Sequence, residues 1–483
     1  MVINSFNFLL FFTIVFFVYY FPLKENTKAQ NWLLLISSYI FYGVANWKMI
    51  PILLIATTFF FFVGKQIPRG NEKRASLLTS IGVIAGIGLL FYFKYLDFFI
   101  QSFVDLFNSI GLKINWSTFG IIFPLGISFF TFRLISYVIE INRGRIEPDN
   151  NFITFATYIS FFPTIMSGPI DRPNSFIPQL KAKRSFNYEL AIDGSRQVLW
   201  GLFKKMLIAN NIAQFIDVVW SDISTQNSPT LIIAAGLYTI QMYADFSGYS
   251  DMAIGVGKIL GFRITKNFNY PFFATNIAEY WRRWHISLTS WVTDYVFMPL
   301  NIKFRNLANA GLIMAIIINM IIIGVWHGAN WTFALFGVYH GLLFIPIILK
   351  GTFGRNKKLK SNKYGLPKLN DFMKMVVTFS LVTLGLIIFR ADNIAQAWTY
   401  IAGIFNFSNV LSLTSDGLRV LIPTLLCTIA MIIAEWKMRD KEFPLQIDSI
   451  ISRKGWRIAL FWIIIIVTVL YSGEEQQFIY FQF

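Results

Sequence analysis

NAGLIMAIIINMIIIGVWHGANWTFALFGVYHGLLFIPIIL, residues 309–349, contains two apolar runs, 309–326 and 331–349, broken by a short polar stretch. It also carries two of the chain's 3 histidines, His327 and His340. An α-helix crosses the hydrocarbon core of a bilayer in about 20 apolar residues, so each run has the size of a membrane span. A titratable ring is expensive in that setting, and ionisable groups inside membrane segments are functional candidates by default.

Outward from this hairpin the same pattern repeats. The chain has 483 residues, of which 55% are hydrophobic and 18% aromatic, with 52 Phe and only 14% charged. That is too apolar for a soluble domain of this length. Further runs cover 4–22, 31–46, 49–64, 76–96, 119–140, 152–166, 200–220, 229–248, 286–302, 375–391, 418–435 and 457–472. The expectation is an all-α, polytopic membrane protein of about 12 transmembrane or re-entrant helices, forming one domain over 1–483. The runs are continuous and do not alternate, which argues against a strand-built barrel. The first run has neither a basic flank nor a small-residue cleavage site, and is expected to be a retained helix. The single cysteine, Cys427, excludes an internal disulfide.

The net charge of +17 is concentrated in a few places: Lys65–Arg74, Lys181–Arg184, Lys204–Lys205, Lys258–Arg283, Arg355–Lys374 and Lys437–Arg457. The positive-inside rule makes these cytoplasmic loops, next to anionic lipid. It places Asp392–Asp416 and the tail GEEQQFIYFQF, residues 473–483, outside. Charge divided among loops between spans does not suit nucleic acid.

Three clusters carry candidate chemistry. In QMYADFSGYSDMAIGVGKILGF, residues 241–262, the FSGYS between Asp245 and Asp251 is loop-like. The two carboxylates there are expected to cap helices or pair with Arg282 and Arg283, with cation binding as the alternative. In NFNYPFFATNIAEYWRRWHISLTSW, residues 267–291, the polar candidates are Asn276, Glu279, Arg282, Arg283 and His285. In the opening hairpin, His327 lies between Trp326 and Gly328, with Asn330 just beyond. Its small neighbours admit the close approach of a substrate or a helix. Three histidines without a ligand-spaced pair give no metal signal. His340 suits a hydrogen-bonded core residue as well as a functional one. Two classes remain: a membrane enzyme with an imidazole base between helices, and a transporter. Without paired halves the transporter is disfavoured.

The chain resembles the membrane-bound O-acyltransferase family, in its bacterial branch that O-acetylates alginate or peptidoglycan and, more distantly, D-alanylates teichoic acid. The matching stretches are FPLGISFFTFRLISYVIEINRG (123–144), YISFFPTIMSGPIDRP (158–173), YADFSGYSDMAIGVGKILGF (243–262), NFNYPFFATNIAEYWRRWHISLTSWVTDYVFMPL (267–300), GVWHGANWTFALFGVYHG (324–341) and LGLIIFRADNIAQAW (384–398). Arg133 and Glu140 depart from it, standing where Gln and Asp are expected, and Arg133 bears on the acceptor side.

The resemblance implies a ring of tilted helices, with His327 as the catalytic histidine and His285 as the second functional one. It implies acetyl-CoA as a cytosolic donor, its phosphates met by basic residues of the 258–283 region. Asp245, Asp251, Asn276, Glu279, Arg282, Arg283, Trp326 and Asn330 are the substrate-binding candidates. Phe478, Tyr480 and Phe483 resemble an aromatic signature whose tyrosine carries the acyl group. Tyr480 is therefore an expected acetyl carrier, with interfacial anchoring of the tail as the alternative. The implied partner is a separate extracytoplasmic SGNH/GDSL-like acetyltransferase that completes transfer to a polysaccharide. The implied location is the bacterial inner membrane. D-alanyl transfer to teichoic acid is the alternative activity.

Overall fold

The computed structural model describes residues 1–121, 123–355, 365–406, 415–474 and 476–479, and every regular element among them is a helix. Polar side chains start several of the apolar helices. Ser5 caps Phe6–Tyr20, Asn26 caps Thr27–Asn46 and Asn71 caps Glu72–Leu90, each satisfying a backbone donor left over in the first turn.

Among the described residues, five helical stretches are long and apolar enough to cross a membrane: Thr27–Gln66, Glu72–Ser109, Arg305–His327, Trp331–Leu349 and Leu369–Arg390. Other expected spans are broken. The 200–220 run is divided by a π-helix at Phe203–Ala209, and the 286–302 run by another at Thr293–Phe297. Irregular backbone of this kind survives in lipid only where protein surrounds it.

Two sequence-based expectations are corrected. FSGYS is not a loop but lies inside the 32-residue helix Ser228–Ile259. Its glycine is tolerated because helices meet there: a Cβ on Gly248 would stand 2.8 Å from Gly201 O. Lys204 and Lys205 are not in a cytoplasmic loop either. They sit in the first π-helix, only 2% and 3% exposed. Leu96–Ser109, Pro173–Lys181 and Ile394–Ile404 are helices that no apolar run announced.

The chain divides into two compact units, Met1–Ser195 with Ala253–Thr265, and Arg196–Met252 with Lys266–Phe483. In the first, Ile50–Gln66 and Glu72–Leu90 pack on Ile127–Asn142 through glycines, with Gly64 under Tyr137, Gly82 under Val138 and Gly86 under Ile135. Arg133 is buried there. Its guanidinium donates to the carbonyls of Tyr158, Ile159, Thr164 and Pro169, and to Thr164 Oγ1 at 2.6 Å. These carbonyls belong to the end of the Phe152–Ser160 helix and the non-helical chain after it, so Arg133 clamps that chain in place. Glu140 faces Arg143 and Arg145 at 3.3 and 3.4 Å. The second unit contains every histidine.

Candidate active site

The Ala308–His327 helix ends because Gly328 is extended, and Asn330 starts the next helix by accepting from Thr332 N at 3.0 Å. The Trp331–Leu343 helix folds back along the first through glycines: Gly324 faces Phe333 O, and a Cβ on Gly337 would lie 2.5 Å from Met320 O. No larger residue fits, and the polar turn is drawn tightly against apolar walls. His327 is buried there, with ring centroids of Trp326, Phe336 and Phe389 at 5.1, 6.4 and 5.0 Å.

His285 is reached by a different device. The Ile277–Arg283 helix stops, and Ile286–Val292 begins one sharp bend later. His285 forms the bend with φ 45° and ψ 52°, a left-handed conformation unfavourable to a residue with a Cβ. Asn267 compensates. Its carbonyl accepts from Ile286 N at 2.8 Å, and its Oδ1 accepts from Ser287 N at 3.2 Å and Ser287 Oγ at 2.9 Å. Its Nδ2 donates to Ser250 Oγ at 3.0 Å, which orients the amide. Asn267 Oδ1 therefore stands 3.1 Å from His285 Nδ1. A carbonyl oxygen brings no proton, so Nδ1 carries the hydrogen and Nε2 the lone pair.

The two histidines meet through Trp326, whose ring lies 5.7 Å from His285 and 5.1 Å from His327. His340 is also buried. It accepts from Trp281 Nε1 at 3.2 Å and lies so close to Gly385 that a Cβ there would sit 2.6 Å from His340 Nε2. That is the position of a packed core residue.

Clefts formed by the described residues flank the hairpin. One of about 600 Å³ adjoins the His327 end, lined by Gly328, Asn330, Phe333, Phe389, Arg390 and Asp392. Another, of about 380 Å³, runs beside residues 316–323 and is lined by Trp281, Arg282, Thr289, Asp294, Asn319 and Phe344. Phe389 lines the first cleft and packs edge-on to His327.

The remaining candidates fall into place around this centre. Asn276 caps its helix, accepting from Glu279 N at 2.9 Å. Glu279 pairs with Arg283 at 2.7 Å, while Arg282 donates to the Arg355 carbonyl at 3.4 Å. Asn330 Nδ2 donates to Asp392 O at 2.7 Å.

The expected pairing of Asp245 and Asp251 with Arg282 and Arg283 is corrected: Asp245 pairs with Lys205 and Asp251 with Lys204, each at 2.6 Å. Lys204 also reaches Ser247 Oγ at 2.8 Å, and Tyr243 OH donates to Glu435 Oε1 at 2.8 Å. The signal for these lysines was present, because two cations interrupt an otherwise apolar run. Asn267 opens the 267–291 stretch, but nothing in the sequence ties it to His285, 18 positions away.

Tyr480 lies outside the described residues. The chain before it enters the second unit. Phe478 is 2% exposed and packs on Tyr249 and Phe246 at 4.9 and 5.8 Å, and Phe246 packs on His285 at 4.6 Å.

This architecture is that of a polytopic membrane enzyme, with an imidazole pair buried among broken helices. Comparison with known proteins makes the class specific. A profile of the membrane-bound O-acyltransferase family matches residues 145–364. The probable alginate O-acetylase AlgI of Pseudomonas aeruginosa is 35% identical, covering 84% of this chain and 75% of that protein. The protein of the same name in Pseudomonas putida is 32% identical over 100% of both chains. The peptidoglycan O-acetyltransferase of Helicobacter pylori is 32% identical, over 84% of this chain and 80% of its own length. The chain belongs to the membrane-bound O-acyltransferase family, and it is a multi-pass membrane acyltransferase.

Proposed function

We propose that this chain moves acetyl groups from cytosolic acetyl-CoA to the outer side of a bacterial inner membrane, for O-acetylation of an alginate- or peptidoglycan-type polysaccharide. The observation that carries this reading is the burial of Phe478 and Ile479 in the unit that holds both functional histidines, with Phe478 joined to His285 through Phe246. A tail packed so deeply is poorly described as an interfacial anchor. Tyr480 follows it by one residue, about 3.8 Å of chain.

In this mechanism the donor enters along the cleft that Arg282 lines, its phosphates held by the basic 258–283 region. His327 takes the proton of the Tyr480 hydroxyl as the oxygen attacks the thioester carbon. The C–S bond breaks, the imidazolium returns the proton to the thiolate, and CoA leaves as the thiol. General base assistance of this kind is worth roughly 10²–10⁴ in rate. Alignment of hydroxyl and thioester in a dry site adds to it. His285, its tautomer set by Asn267, supports the developing charge from the other side of Trp326. An extracytoplasmic SGNH/GDSL-like transferase then accepts the acetyl group from Tyr480 and delivers it to a glycan hydroxyl, and the phenol is restored. With the C-terminal tail outside and the basic loops inside, the two half-reactions fall on opposite faces of the membrane.

The test is to incubate the purified protein with labelled acetyl-CoA, without partner or glycan, and map acetyl groups on the chain by mass spectrometry. Acetyl on Tyr480, absent in His327→Ala, is the expected result. CoA release without a covalent acetyl group would remove the relay, and no CoA release even with the partner present would remove the donor.

A further inference from the structure

The tail is held by more than aromatic packing. Asn211 Nδ2 donates to Tyr471 O at 2.8 Å, and Gly473 N donates to Met206 O at 3.2 Å. A Cβ on Gly473 would sit 2.9 Å from Asn211 N, so the chain enters where only glycine passes. Farther along, Lys205 Nζ reaches Gln476 O at 3.3 Å, and Ile479 N donates to Asp245 Oδ2 at 2.9 Å. Asp245 and Lys205 themselves pair at 2.6 Å, with side chains 2% and 4% exposed.

A buried ion pair is weak evidence for stability, because removing two charges from water offsets most of their attraction. This pair does something an apolar pair would not. One Asp245 oxygen holds Lys205 and the other holds the tail, while Lys205 binds the tail three residues earlier. Both contacts are to main chain, at positions 476 and 479, so they measure register and not side-chain identity. Asp245 also comes from an element that builds the histidine site, because it precedes Phe246, which packs on His285.

We propose that Lys205 and Asp245 are positioning residues that set the register of the tail at residues 476 and 479 and thereby the depth at which Tyr480 meets the donor. The inference rests on the reading of Tyr480 as the acetyl carrier.

The test uses the full chain in membranes, in a Cys427→Ser background carrying Ile479→Cys as a reporter of burial. Lys205→Met with Asp245→Leu removes both charges together, which avoids leaving one buried alone. The expected result is faster labelling of the introduced thiol by a small maleimide. In the same pair of substitutions without the reporter, acetyl loading of Tyr480 falls roughly tenfold or more, with KM for acetyl-CoA unchanged. A second variant inserts one serine between Gln476 and Gln477, leaving the ion pair and the fold intact, and is expected to lose loading to a similar extent. Unchanged labelling in the double variant, or normal loading with the inserted serine, overturns the proposal. Faster labelling with normal loading also overturns it, since the tail would then be held for another reason. Tyr480→Phe separates the two readings: if it acetylates glycan normally in the presence of the partner, the relay itself is wrong whatever the register does.

Discussion

His285 and Asn267 form a single unit: the asparagine Oδ1 lies 3.1 Å from the imidazole Nδ1, and its carbonyl oxygen accepts from the residue after the histidine at 2.8 Å. One side chain therefore sets the tautomer of the ring, and its backbone secures the left-handed bend that aims it. Partners of this kind are worth about 10–100-fold where they orient a metal-bound imidazole, and the same logic applies here. Asn267→Ala is expected to lower the acetylation rate by roughly that factor. Steady-state kinetics would check it, with KM for acetyl-CoA expected to hold. A full-rate variant would make Asn267 a loop fastener only.

His327→Ala is expected to reduce CoA release by roughly 10²–10⁴ while the protein still elutes as a single species in detergent. If release continues at the normal rate from a folded variant, another group serves as the base.

The helix hairpin that carries His327 has no room at Gly337, where an added Cβ would lie 2.5 Å from Met320 O and 2.6 Å from Ile321 Cα. Gly337→Ala must separate the helices, and overpacking of this kind costs about 1–3 kcal/mol. A lower Tm in detergent together with reduced activity is expected. Gly236 is the control, because nothing lies within 4 Å of an added Cβ there, and Gly236→Ala is expected to leave both unchanged.

Arg133 is a clamp in the first unit. Arg133→Met leaves the carbonyls of Tyr158, Ile159, Thr164 and Pro169 without its charged donor. Loss of charge-assisted bonds in a buried site is expected to destabilise the protein by about 3 kcal/mol. Thermal unfolding would measure it, and an unchanged Tm would show that the segment holds itself. The guanidinium donates to backbone carbonyls and to the Thr164 hydroxyl.

Much of the fold was legible in composition. Helices at 6–20, 27–46, 331–343 and 369–390 follow from runs of Phe, Leu, Ile and Val with a Ser, Asn or basic residue at an end. The interruptions were not legible. Lys204 and Lys205 resemble a loop signal because a charge pair usually seeks water, and only the facing Asp245 and Asp251 make their burial tolerable. FSGYS resembles a turn because Gly and Ser commonly form one, and only the close approach of Gly201 makes Gly248 a helix contact.

The candidate site divides in the same way. The sequence by itself determined that the chain is helical and membrane-embedded, and that His327 and His340 lie among apolar runs where a charge is costly. Those are consequences of residue type and local period, which act over a few neighbours. Only the tertiary structure decided that Trp326 touches both rings, that Asn267 sets the tautomer of His285, and that Asp245 holds the main chain at residue 479, 234 positions away. Such contacts depend on which helix faces which, and that choice is made by packing across the whole unit.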